Sequence, residues 1–181
     1  MAYEDYARAS RLTIENAAIR PNYGNAVWRN FSGSPTSFNT TGGKRYFNVD
    51  LNEDDAQKLI ADGWHIYQWT PEPSDSNPEP ETQYRLQVLV NFATPSNPRY
   101  KPVEIYMICN GVKTKLDEES VCELDSANII NADISVNPHY YNIGGKEGIT
   151  AYLQYGYFTI ENEDPFFEKY AEEESPSDVP F

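Results

Sequence analysis

Short runs in which apolar and polar residues alternate recur along most of the chain, as expected of strands with one buried face. Residues 11–20 (RLTIENAAIR), 24–31 (GNAVWRNF) and 44–51 (KRYFNVDL) have this character, with a Gly/Ser/Thr/Asn-rich loop through Gly43 between the last two. Asn52 then stands where an N-cap belongs. Glu53, Asp54 and Asp55 suit the positive end of a helix, Ala56, Leu59 and Ile60 share one helical face, and Gly63 ends the helix.

Residues 64–70 (WHIYQWT) predict a strand, and the following 71–81 (PEPSDSNPEPE) has no large apolar residue and predicts a solvated loop. Residues 83–92 and 103–109 read as strands. Asn110-Gly111 between Ile108 and Val112 is a two-residue hairpin signal. Residues 116–124 suit a second short helix, and 127–136 and 149–160 supply the last strands. No internal repeat is evident. Many short strands with a helix inserted among them predict a mainly β protein: an OB-fold-like antiparallel β-barrel with one or two short helices, rather than an immunoglobulin-like sandwich. The division is a domain over residues 1–160 and a disordered acidic tail over 161–181.

At 181 residues and 39% hydrophobic content, the chain has enough apolar material for one core. It begins without the basic start and apolar run of a secretory signal and has no stretch long enough for a membrane span, so an intracellular, cytoplasmic protein with no membrane partner is expected. Cys109 and Cys122, separated by twelve residues, form no Cys-x-x-Cys motif and are expected to be reduced core thiols.

The formal net charge of −14 argues against a nucleic-acid ligand until its distribution is followed. Residues 161–181 carry −7 and the loop 71–81 carries −4, leaving only −3 for everything else. Residues 16–49 contain no Asp or Glu, yet hold Arg20, Arg29, Lys44 and Arg45 with Tyr23, Trp28, Phe31, Phe38, Tyr46 and Phe47. A groove for single strands needs cations for phosphates and rings for bases, and this window offers both. A second acid-free window, 82–103, contributes Tyr84, Arg85, Phe92, Arg99, Tyr100 and Lys101, followed by Lys113 and Lys115 on the hairpin.

The candidate single-stranded-DNA-binding residues are therefore Arg20, Trp28, Arg29, Phe31, Phe38, Lys44, Arg45, Tyr46 and Phe47, with Trp64, Trp69, Arg85, Arg99 and Lys101 as secondary candidates. For any single ring the competing role is to fill the core. Gly33, Gly42 and Gly43 would let their loop bring backbone N–H groups to phosphates, or would serve only as a flexible loop.

The chain closes on Asp178-Val179-Pro180-Phe181 after a run of acids. This end resembles the acidic tip of bacterial single-stranded-DNA-binding proteins, and Trp28-Arg29-Asn30-Phe31-Ser32-Gly33, Phe38-Asn39 and Gly43-Lys44-Arg45-Tyr46-Phe47 resemble segments of phage-encoded single-stranded-DNA-binding proteins. The resemblance implies a protein that coats single-stranded DNA during replication, recombination or repair and docks partner proteins through Asp178, Val179, Pro180 and Phe181. Ser175-Pro176-Ser177 interrupts the acids and no Gly/Gln-rich linker precedes the tip. Tetramerisation is therefore not carried over, and homo-oligomerisation stays open.

Catalytic readings rank low. His65 and His139, the only histidines, have no metal-ligand spacing with each other or with the cysteines. Gly43-Lys44 and Gly145-Lys146 are followed by Arg45 and Glu147, where a phosphate loop needs Ser or Thr, and no G-x-S-x-G elbow occurs. The acids at Asp54-Asp55 and Asp117-Glu118-Glu119 fit helix starts. No enzyme activity, cofactor or metal is expected. The rivals are an acidic interaction module, such as a DNA mimic or inhibitor that never touches DNA, and a carbohydrate-binding sandwich, which would need a secreted context.

Overall fold

The computed structural model describes residues 10–37, 39–94, 96 and 101–162. Phe38, Arg99, Tyr100 and the tip residues Asp178, Val179, Pro180 and Phe181 lie outside the described residues. The architecture is mainly β. Among the described residues ten strands run in the order β1 (Leu12–Ile14), β2 (Ala18–Ile19), β3 (Arg29–Asn30), β4 (Arg45–Leu51), β5 (Tyr67–Trp69), β6 (Gln83–Val90), β7 (Glu104–Cys109), β8 (Val112–Leu116), β9 (Ile129–Ile143) and β10 (Lys146–Ile160). Helix α1 (Glu53–Ala61) separates β4 from β5 and helix α2 (Glu123–Ser126) separates β8 from β9.

These strands join in one sheet whose main path is β1-β9-β10-β6-β4-β2. Most pairings are antiparallel, but β10 lies parallel to β6 and to β7. The ends of the path, β1 and β2, are consecutive in sequence with only Glu15, Asn16 and Ala17 between them. A flat sheet of six strands would be about 24 Å wide at roughly 4.8 Å per strand, further than that link reaches, so the sheet must curl. Among the described residues no ladder closes the sheet: its two ends are joined by this covalent link, with the Ala17 N–H donating to the Ala132 carbonyl at 2.7 Å. Asn16 makes the bend with φ 52.

Inside the curl lies one core. Phe31 and Phe47 stack at 5.2 Å and each meets Phe158 edge-on at 5.6 Å. Leu86, Val88, Ile105, Ile134, Val136 and Ile149 pack with them. Helix α1 follows its sequence signals: the Asn52 side chain accepts from the Asp55 N–H, and Ala56 and Leu59 are buried. The Asn110-Gly111 hairpin also forms, both residues having positive φ.

Several expected elements differ in extent. The strand expected over 24–31 shrinks to Arg29–Asn30. The second helix falls later, at Glu123–Ser126, because Asp117 Oδ1 accepts from the Glu119 and Ser120 N–H groups and holds a turn there instead. Strand β9 runs on to Ile143 through Pro138, which the sheet tolerates because β1 pairs with β9 only as far as Val136. Gly144 and Gly145, with φ 59 and 83, make the tight turn into β10. Cys109 is half-buried but Cys122 is exposed, which corrects the expectation of two core thiols; both are free. No described helix is long and apolar enough to cross a membrane.

Candidate nucleic-acid interface

Cross-strand register decides which face each side chain takes, since opposed residues share a face and neighbours alternate. On β4, Phe47 and Val49 point inward opposite Val88 and Leu86, so Tyr46, Asn48 and Asp50 point outward opposite Leu89, Gln87 and Arg85. Tyr67 pairs with Arg85 and Trp69 with Gln83, placing both rings of β5 on that outer face. Arg20 joins it from the end of β2, its N–H donating to the Asn48 carbonyl at 2.9 Å.

These residues line a cleft of about 480 Å³ formed by Arg20, Trp28, Tyr67, Gln68, Trp69, Gln83, Tyr84 and Arg85, none of them acidic. The guanidinium carbons of Arg20 and Arg85 each stand 4.6 Å from the centre of the Trp28 ring, and Arg85 also lies 4.7 Å from that of Tyr67. Such cation–π contacts hold planar cations in place without neutralising them. Beneath Trp28 sits Asn48, a buried amide that donates to the Trp28 carbonyl at 2.8 Å and accepts from Arg85 Nε at 3.1 Å. Asn22 fixes the same segment by accepting from the Trp28 and Arg29 N–H groups.

The charges in the cleft are unequal. Arg20 is paired with Asp50 at 3.0 Å. Arg85 has no carboxylate partner among the described residues, and its pKa lies below the ordinary arginine value, first because burial strips water from it, with Arg20 adding to the effect while Tyr67 and Asp50 oppose it. An arginine stays protonated regardless, so the shift marks a cation that an incoming anion would relieve. Trp69, 56% exposed, is the most open ring of the cleft, whereas Trp28 is half-buried and already engaged. Tyr67 is braced from behind by His65 at 4.5 Å, whose pKa burial holds below 6.5.

Four sequence candidates, Arg20, Trp28, Trp69 and Arg85, thus meet in one cleft. Phe31, Phe47 and Trp64 do not: they are buried in the core and cannot offer a face to a base in this conformation. Arg29 is also corrected, since it points inward from β3 and gives its guanidinium to the carbonyls of Leu124 at 3.1 Å and Ala127 at 2.8 Å. Arg45 is spent on the carbonyls of Phe31 and Glu118 and lies over Phe92. Tyr46 is half-buried with its hydroxyl donating to the Val27 carbonyl, while Lys44 is exposed above the Tyr46 ring at 5.5 Å. Lys101 is exposed but lies in a different cleft. The glycine loop closes on itself, Gly43 N–H donating to the Gly33 carbonyl at 2.6 Å, so those amides do not reach outward. Tyr67 and Asn48 were absent from the sequence candidates; alternation around Phe47 and Val49 was the available signal for Asn48.

Residues 4–178 match a family model described as "Putative phage ssDNA-binding domain". No curated protein matches. Among solved structures, gp2.5, a single-stranded DNA binding protein encoded by bacteriophage T7, is similar at 11% identity and TM-score 0.39, over 92% of this chain and 98% of that one.

Proposed function

The chain belongs to the phage single-stranded-DNA-binding family, and on that premise we propose that it coats single strands without strong sequence preference through the Arg20–Trp28–Arg85 cleft. The observation that carries this reading is the pair of guanidiniums ordered on Trp28 beside the open ring of Trp69, in a cleft with no acid among its described lining residues. Phosphates bind the two arginines and bases stack on Trp69 and Tyr67. No base-edge reader is needed, because every base has a stacking face.

The test is tryptophan fluorescence during titration with oligo(dT), with duplex DNA as control. Single strands should quench and duplex should not, and affinity should fall with salt at a slope of about −0.7 per phosphate held, or roughly −1.4 for two arginines. Trp69→Ala should weaken binding about tenfold, within the 1–3 kcal/mol of one base stack. Binding that ignores both salt and Trp69→Ala would exclude this cleft.

The acidic end supports a second role. We infer that Asp178, Val179, Pro180 and Phe181 dock on basic, apolar pockets of replication, recombination or repair proteins in a bacterial host cytoplasm, the acids steering the encounter and the Phe ring anchoring it. Deleting these four residues should abolish partner capture in a pull-down while leaving the melting temperature and oligo(dT) affinity unchanged or slightly improved. A lower melting temperature would instead give the tip a structural role. The rival acidic DNA mimic is disfavoured by the acid-free lining of the cleft and by the gathering of charge into residues 71–81 and 161–181.

A further inference from the structure

Strand β6 carries a row of outward side chains beyond the first cleft. Arg85, Gln87 and Leu89 alternate outward, and Asn91 continues the row just past the end of the strand. Arg85 lines the first cleft; Asn91 lines another of about 500 Å³ at the opposite end of the strand. Asn91 lies six steps of extended chain beyond Arg85, a span of roughly 20 Å. Across the β6–β10 pairing, Tyr152 lies opposite Leu89, and across the β9–β10 pairing Asn137 lies opposite Tyr152, so these too occupy the outer face.

The second cleft is built for the same chemistry. Lys101, His139, Tyr152, Asn137 and Gln154 line it, and among the described residues none that lines it is acidic. Gln154 is buried, accepts from the Asn137 amide at 2.6 Å and donates to the Lys101 carbonyl at 3.3 Å, which fixes the chain that presents the Lys101 side chain. His139 meets the Tyr152 ring edge-on at 5.5 Å, steadying it. Arg11 donates to Asn137 Oδ1 at 3.1 Å, bringing a second cation beside this cleft.

We propose that one DNA strand occupies both clefts, running along the outer face of β6 from the Trp28 cleft to a second subsite where Lys101 holds a phosphate and Tyr152 supports a base. This rests on the reading of the first cleft and extends it. The two clefts with the face between them give a track whose ends are too far apart for the shortest oligonucleotides to bridge, in keeping with footprints of about 4–16 nucleotides on single OB-type domains.

The test compares oligo(dT) of about four and about twelve nucleotides against three variants, each checked for an unchanged melting temperature. Lys101→Glu and His139→Ala alter exposed side chains and should fold. Lys101→Glu should weaken the longer oligonucleotide about tenfold, the loss of a charge-assisted phosphate contact, and leave the shorter one unchanged. His139→Ala should act in the same direction more weakly, and Arg85→Ala should weaken both lengths. If Lys101→Glu and His139→Ala bind both lengths as the wild type while Arg85→Ala weakens both, the second subsite is overturned and the first cleft stands. If Arg85→Ala binds both lengths normally, the first cleft itself is wrong.

Discussion

Trp28→Ala is expected to bind oligo(dT) about 100-fold more weakly than the wild type while remaining folded, since Trp28 positions two charged donors each able to contribute about 1.5–3 kcal/mol. Arg20 and Arg85 both lie on its ring, and Asn48 ties its backbone to Arg85. Removing the indole frees the Arg85 guanidinium to relax into solvent and leaves Arg20 held only by its existing pair with Asp50. The salt dependence should flatten along with the affinity, which a ring acting only by base stacking would not produce. Residual quenching in the variant should come from Trp69, because Trp64 is buried. An unchanged salt slope would show that Trp28 does not organise the arginines.

Phe47→Ala should destabilise the fold by about 3–5 kcal/mol, the usual cost of emptying a well-packed phenylalanine site. Phe47 is fully buried and shares its walls with Phe31 and Phe158, so the cavity would open at the centre of the core. Thermal or denaturant unfolding reads this directly. Phe47→Leu, which keeps most of the volume, should bind oligo(dT) with wild-type affinity per folded molecule. Weakened binding by a fully folded Phe47→Leu protein would restore Phe47 to the interface.

The contrast between these two rings shows what was legible in the sequence. The two acid-free windows drew attention to Arg20 and Trp28 and, separately, to Arg85, because a missing acid is visible without a fold; that the three share one cleft was not visible there. Which of two adjacent residues faces outward depends on strand parity. Tyr46 and Phe47 were grouped, as were Trp28 and Arg29, although strand neighbours point to opposite faces. The spacing of Phe47, Val49 and Leu51 fixes the parity of β4, so that much was available. Tyr67 was hidden by a break: Trp64 bridges to Ile149 and the strand proper starts only at Tyr67, which leaves no continuous alternation to read. The helix α1 and the Asn110-Gly111 turn were legible because their signals are local. The length of β9 was not, since tolerance of Pro138 depends on where β1 stops pairing.

The link of three residues that joins the two ends of the sheet also bears on how the chain acquires its shape. Asn16 bonds to Asp133, 117 positions away, and β1 finds its partner only on β9. Closure therefore carries a large loop entropy and has to wait until nearly the whole domain has emerged during synthesis. Until β1 docks, the outer edge of β9 over residues 134–136 is unpaired, a state open to pairing between nascent chains. Strands β1 and β2 are short and with their link bury only Ala17, with Leu12, Ile14 and Ile19 packed at the margin of the core, so the 12–19 stretch is a natural point of local unfolding in the finished protein.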